Sequence, residues 1–347
     1  MKMNPLGRTG IEVSELCLGT MTYGNQTPPE DAFAQMDLAL ERGVNFFDTA
    51  EMYPVNPVRA ETVGRSEEII GEWFARSGRR DEVILATKIV GEGSSQVRDG
   101  ADISSANIPV AVEASLKRLR CDHIDLYQFH WPNRGSYMFR QHWTYDPSGQ
   151  DRAATMQHME DALGALQREV ERGTIRAFGL SNESCWGTTR WIDMAERTGG
   201  PRVASVQNEY SLLCRLYDTD MAEMTANEDA GLMAFSPMAA GLLTGKYREG
   251  RVPEGSRMSL VPELGGRKTE RAMEAAAAYV ALAEAHGLDP AHMALAFVTG
   301  RPFTTSAIFG ATTLDQCRHA LDGAGLQLSD EVMEGIDRLH RQHAMPN

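Results

Sequence analysis

Long apolar runs, paired cysteines and positive charge are all scarce in this sequence, and each shortage removes a class of protein. No stretch approaches the roughly 20 apolar residues of a membrane-spanning helix, and the opening MKMNPLGRTGIEVSE lacks a signal-peptide core. Five cysteines, at 17, 121, 185, 214 and 317, form no CxxC pair, and their number is odd. Neither a disulfide framework nor a zinc site is suggested, no metal-ligand cluster is visible, and a reducing, cytoplasmic setting is expected. Lys and Arg total 34 against 48 Asp and Glu, a net charge of −14. Such a surface repels phosphate backbones, so nucleic acid and anionic membranes are poor partners. A phosphorylated small ligand is still allowed, because one local basic pocket suffices to hold it. Linkers and repeats are also missing, so the 347 residues read as one domain.

What is present is alternation. Eight short apolar runs stand at 16–19, 44–47, 83–86, 124–129, 175–179, 203–206, 232–235 and 306–309. Each is β-branched or aromatic in part and bounded by polar residues or glycine, as strands are. Helical spacing fills the gaps. Phe33, Met36 and Leu40 recur at three and four, as do Ile69, Ile70, Trp73 and Phe74. Ile108, Val112, Leu116 and Leu119 line one face, with Pro109 suited to a first turn. Met159 to Val170, Thr188 to Ala195, Met221 with Met224, and the alanine-rich 272–285 continue the pattern, and Ser329 caps a last helix over 329–343. Eight strand–helix units without a glycine fingerprint after the first strand predict an α/β fold, a closed (β/α)₈ TIM barrel. A doubly wound sheet is the alternative. Residues 6–13 predict a short hairpin ahead of the barrel, turning at 8–10. Two long loops, 131–154 and 240–268, are expected at the C-terminal face, the first aromatic, the second rich in Gly, Arg and Lys.

In such a barrel the C-terminal ends of the strands build the site. In order they offer Gly19 and Thr20, then Asp48, Lys88, His130, Ser181 with Asn182, Gln207, and Ser236. Each alone has an ordinary use as a cap, a snorkelling lysine or a core histidine. Their convergence on one rim is what argues for chemistry.

These same residues carry a resemblance. The ordered segments LCLGTM (16–21), VNFFDTAEMY (44–53), ILATK (84–88), IDLYQFHWP (124–132), GLSN (179–182), VQNEYS (206–211), SPMAAGLLTGKY (236–247) and FGATTLDQ (309–316) are similar to the aldo-keto reductases along nearly the whole chain. Within AEMYPVNPVRAE, residues 54–65 replace a shorter family loop. The resemblance implies an NADP(H)-dependent oxidoreductase that reduces an aldehyde or ketone, with a catalytic tetrad of Asp48, Tyr53, Lys88 and His130. A hydride reaching a carbonyl carbon leaves an oxyanion that must be stabilised and protonated. Tyr53 would donate the proton, and Lys88 is expected to lower its pKa from roughly 10. Asp48 would hold Lys88, and His130 would orient the substrate oxygen. No metal is needed.

The resemblance also assigns cofactor contacts. Gly19, Thr20, Met21 and Asp48 are among them, while Ser181, Asn182 and Gln207 would hold the nicotinamide carboxamide, with Phe235 stacked on the ring. Ser236, Pro237, Met238, Lys246 and Arg257 would line the phosphates, and Gly310, Thr312 and Gln316 the adenosine half. Where relatives place Glu-Asn for the adenine, this chain has His319 and Ala320. Tyr23, Met52 and Trp131, with the aromatics at 137–145, are expected around the substrate. Two other readings accompany this one. A strand-end lysine also serves Schiff-base aldolases. The family further includes cofactor-binding β subunits of potassium channels, which lack a histidine at the position of His130. The substrate's identity and the oligomeric state are not legible.

Overall fold

The computed structural model describes residues 1–346. Ten strands form: β1 Met3–Pro5, β2 Glu12–Ser14, β3 Leu16–Gly19, β4 Phe46–Asp48, β5 Ile84–Ile89, β6 Ile124–Phe129, β7 Ile175–Ser181, β8 Val203–Glu209, β9 Gly231–Phe235 and β10 Thr304–Gly310. β3 to β10 close into an eight-stranded barrel, every neighbouring pair parallel. This is the expected (β/α)₈ architecture, and closure rules out the doubly wound alternative.

Helices follow the strands. They are α1 Pro29–Glu41, α2 Arg65–Ser77, α3 Asn107–Leu119, α4 Arg152–Glu171, α5 Cys185–Thr198, α6 Asp220–Glu228, α7 Arg257–Leu260, α8 Glu270–Ala285, α9 Pro290–Thr299, α10 Leu314–Asp322 and α11 Asp330–Gln342. Ser329 caps α11 by accepting the Val332 N–H, as its position suggested. No described helix is long and apolar enough to cross a membrane.

The period of two along each strand sorts the barrel interior into layers. Cys17, Phe46, Ala86, Leu126, Ala177, Ala204, Met233 and Ile308 form a buried apolar cluster inside. Two residues further along β4, β5 and β6, the same inward direction carries Asp48, Lys88 and Gln128. The register sets Asp48 beside Gly19 and Ala86, Lys88 beside Gln128, and Ser181 beside Gln207. An apolar floor therefore lies under a polar rim. Leu6, Ile11 and Val13 join the floor cluster from below.

The structure moves several expected boundaries. The hairpin pairs β1 with β2, and residues 6–11 are its connection, closed by Leu6 N to Ile11 O at 2.8 Å. β5, β7 and β8 run further than their apolar runs, because the ladder continues through inward polar residues that satisfy one another. The loop after β9 holds short helical turns at Ala239–Thr244 and Arg248–Gly250 as well as α7. One helix gives no amphipathic signal. α9 is buried almost all round, from Met293 to Val298, so its apolar residues show no face.

One close contact governs the outer layer. A Cβ on Gly71 of α2 would collide with the Arg118 carbonyl oxygen and lie 2.7 Å from the Leu119 carbonyl carbon of α3. Alanine gains about 1 kcal/mol in helix propensity over glycine. Backbone cannot give way as a side chain can, and overpacking costs roughly 1–3 kcal/mol. Gly71→Ala is expected to be net destabilising, seen as a lower denaturation midpoint in urea. A raised midpoint would show that propensity wins and that the helices are not in contact.

Candidate active site

Lys88 is fully buried on β5, and a buried ammonium persists only when paired. Its Nζ donates to Asp48 Oδ2 at 2.7 Å, to the Thr49 carbonyl at 2.8 Å and to the Tyr53 hydroxyl at 3.4 Å. The other oxygen of Asp48 accepts from Gln207 Nε2 at 2.8 Å and Gln128 Nε2 at 3.3 Å. Asp48 is thus held from β8 and β6 while it holds Lys88. Gln128 lies within IDLYQFHWP but was not singled out, because nothing local to a strand shows that its amide meets Asp48.

Tyr53 reaches the rim on a turn after β4. Its own N–H bonds the Ala50 carbonyl, and its carbonyl accepts from Gly64 N and Ser66 N at the start of α2. Glu51 fixes this turn. It is buried, accepts the Val90 N–H at 2.8 Å, and pairs with Arg98 at 3.1 Å. Burial raises the Glu51 carboxyl, and Arg98 opposes that rise. Neither residue was a sequence candidate.

His130 follows β6 with its ring 5.8 Å from that of Tyr53, at 78°. Its Nδ1 is buried with no hydrogen-bond partner among the described residues. Burial, then the Lys88 charge, holds its pKa well below the ordinary imidazole value. The tetrad residues therefore lie together, with a neutral histidine. For Lys88, burial disfavours the ammonium, but Asp48 and Tyr53 outweigh it, and the pKa stands above the usual value.

One electrostatic expectation is corrected. Burial pushes the Tyr53 phenol up, and Lys88 only partly offsets this, so its pKa is raised instead of lowered. The Asp48 charge beside Lys88 contributes to the same outcome.

The other candidates divide into those that face the rim and those that do not. Asn182 stands at φ 52°. Its Nδ2 donates to the His130 carbonyl at 2.9 Å and to Ser181 Oγ at 3.1 Å. Its Oδ1 is buried and has no partner among the described residues. That bare acceptor fits an amide N–H₂ of a ligand. Ser181 Oγ donates to the Gln207 carbonyl, and the Gln207 amide nitrogen is engaged by Asp48 and Gln128. Thr20 is fully buried with its hydroxyl on the Asp48 carbonyl, and Gly19 leaves no room for a Cβ beside Ile308. Met21, Met52, Phe235, Pro237 and Met238 are buried or partly exposed around this end of the barrel.

Tyr23 is a correction. It is fully buried, its hydroxyl 3.3 Å from Gln35 Oε1 of α1, so it belongs to the core and not to an open pocket. Trp131 is half-buried against His130, its Nε1 on the Glu92 carbonyl at 3.1 Å. Phe139 and Trp143 are exposed.

The long loops meet at Glu209, the last residue of β8. Its carboxylate takes Arg140 from the first loop and Arg267 from the second, each at 2.6 Å. Arg267 also donates to Ser236 Oγ at 3.3 Å. Arg257 has no carboxylate partner among the described residues, and burial, then Arg267, lowers its pKa. Thr312 donates to Gln316 through both its backbone N and its hydroxyl, at 3.0 Å each, and Gly310 is exposed. Ala320 is buried inside α10, whereas His319 is exposed.

A closed parallel barrel with a buried Asp–Lys pair, a tyrosine and a histidine at its C-terminal rim defines a class, and comparison agrees. The sequence model of the aldo/keto reductase family matches residues 15–341, and the chain belongs to that family of oxidoreductases. Over the full length it is 40% identical to the protein Tas of Escherichia coli (strain K12), covering 100% of this chain and 99% of the relative. The oxidoreductase YrpG of Bacillus subtilis is 33% identical over 97% of this chain and 95% of its own. A probable voltage-gated potassium channel subunit beta of Arabidopsis thaliana is 29% identical over 98% and 96%.

Because its folded pKa is depressed, His130 is expected to remain neutral well below the ordinary imidazole value of about 6.5. The unfolded chain takes a proton there and the native one does not. Its contribution to stability is therefore complete above about pH 6.5 and falls by up to about 1.4 kcal/mol per pH unit below it. Nitrogen NMR of the ring is the direct check. A ring that protonates near pH 6.5 in the folded protein would overturn this.

Proposed function

We propose that the chain is an NADP(H)-dependent reductase of aldehydes or ketones, with Tyr53 as general acid. The observation that carries the reading is Lys88, wedged between the Asp48 carboxylate and the Tyr53 hydroxyl. When bound, reduced nicotinamide would supply the hydride. The chain's residues would do the rest. His130, neutral, hydrogen-bonds the carbonyl oxygen and aims it at Tyr53. As negative charge develops on that oxygen, the Tyr53 O–H moves its proton onto it. Lys88 then faces the forming phenolate, and its charge stabilises what burial alone would penalise. Asp48 keeps Lys88 charged and aimed. With its pKa raised by burial, Tyr53 keeps its proton throughout neutral pH, so the Lys88 charge acts on the phenolate as it forms and not on the resting phenol.

The same arrangement disfavours the other readings. A Schiff-base lysine must become neutral to attack a carbonyl, and Lys88 is held above its ordinary pKa. A purely regulatory role leaves His130 beside Tyr53 without a task.

For the cofactor, Asn182 Oδ1 is the acceptor offered to the carboxamide, with Ser181 and Gln207 beside it. Phe235 offers a ring face, and Gly19, Thr20 and Met21 border that end. Arg257 and Lys246, with Ser236, Pro237 and Met238, would meet the phosphates. Gly310, Thr312 and Gln316 would lie along the adenosine. Met52 and Trp131 would border the substrate. All five cysteines are free thiols, which supports a reducing, cytoplasmic location.

Tyr53→Phe is expected to lose at least roughly a hundredfold in turnover, the scale of general acid catalysis, while still binding cofactor. Steady-state reduction of an aldehyde panel with NADPH tests this, and a variant within a few-fold of wild type would sink the assignment. The phosphate assignment has its own check. Charge-assisted bonds contribute roughly 1.5–3 kcal/mol each, so NADPH should bind at least about tenfold tighter than NADH. Fluorescence titration should find that gap reduced in Arg257→Ala; equal affinities in the wild type would refute the preference.

A further inference from the structure

His319 stands where the family pattern leads to an expected adenine contact, yet its ring turns toward α9. Its Nε2 lies 3.3 Å from Asp289 Oδ2. Asp289 caps α9 with the other oxygen, Oδ1, which accepts from Ala291 N at 2.8 Å and His292 N at 3.0 Å. Oδ2 is thereby left for a different partner. His292, in the first turn of α9, places its Nε2 2.7 Å from the His319 carbonyl oxygen. A carbonyl only accepts, so that nitrogen carries the proton, and Nδ1 keeps a bare lone pair. The two imidazole rings lie 4.6 Å apart. One ligand atom from each of Asp289, His292 and His319 falls within 4.8 Å of the others.

We infer that Asp289, His292 and His319 form a binding site for a divalent transition metal of the zinc type, joining α9 to α10. Two imidazoles and one carboxylate suit zinc, cobalt or nickel, whereas magnesium and calcium take oxygen ligands. Bonds of roughly 2.0–2.1 Å in a tetrahedral shell set ligands about 3.4 Å apart, close to the His319–Asp289 separation. Metal-binding histidines usually donate their second ring N–H to a carbonyl or carboxylate, and the His292–His319 carbonyl bond is of that kind. Gly323 lets the His292 ring settle there, since a Cβ at 323 would fall 2.6 Å from the ring. Three protein ligands leave a coordination position for water. The sequence hides the cluster because its parts come from separate helices, and only the packing of α9 on α10 joins them. Among the described residues no hydrogen bond or ion pair links the three to Asp48, Lys88, Tyr53 or His130, so the site is separate from the proposed reduction.

The test uses the untagged full-length chain, stripped with a chelator and free of nucleotide, so its result is independent of the reductase reading. Co²⁺ is titrated while its visible d–d bands are followed, and Zn²⁺ is then added to displace it. Saturation at about one Co²⁺ per chain is expected. His319→Gln and Asp289→Asn should each weaken binding at least about tenfold, the lower end of what losing even an outer-shell partner costs. Both substitutions spare the fold, since His319 is exposed and asparagine still caps a helix. In wild type, Zn²⁺ should also raise the thermal midpoint, and it should not do so in His319→Gln. Absence of d–d bands, or unchanged Co²⁺ affinity in both variants, would overturn the site and leave an aspartate cap beside a histidine.

Discussion

The rim of this barrel is organised around one requirement, that the fully buried Lys88 ammonium be neutralised. Desolvation alone would drive its proton off. Asp48 prevents this, and the two neighbouring glutamines, Gln128 and Gln207, keep Asp48 from turning away. Removing either charge of the pair would leave the other uncompensated in a buried site, while losing a glutamine would free Asp48 to turn, which is why the pair, its supports and Tyr53 form a single unit.

That unit depends on strand periodicity. The apolar floor of Phe46, Ala86 and Leu126 and the polar layer of Asp48, Lys88 and Gln128 are the same three strands read two residues apart. A slip of one residue in any ladder would send a charge into the helix layer. Closure of the barrel prevents such a slip, so the fold that buries the charge also positions it. Above the rim, Glu209 joins the two long loops through Arg140 and Arg267. Ser236, which follows β9, is drawn into the same contact by Arg267. Placement of the loops is thus electrostatic, while placement of the tetrad is set by strand register.

The reading of His319 shows how one helix pair can depart from a family pattern. Ala320 is buried in α10, and His319 is directed to Asp289 in an Asp–His–His grouping on the outer layer of the barrel.

By itself the sequence determined the eight strand–helix units, the closed barrel and the four rim residues Asp48, Tyr53, Lys88 and His130. The units, the barrel and three of these residues follow from hydrophobic period read along the chain, and Tyr53 from the family resemblance of its segment. It did not determine what depends on neighbours distant along the chain. Gln128 and Glu51 sit inside matched segments and Arg98 in none, but their roles exist only because distant parts of the chain meet. Tyr23 reads as a rim aromatic until packing against α1 buries it. The direction of the Tyr53 shift was also hidden, since a charge beside a phenol is legible in a motif but the depth of its burial is not. α9 escaped notice because burial on every side erases amphipathic period. Tertiary structure decided these points because burial, and the pairing it enforces, are properties of what surrounds a residue in space.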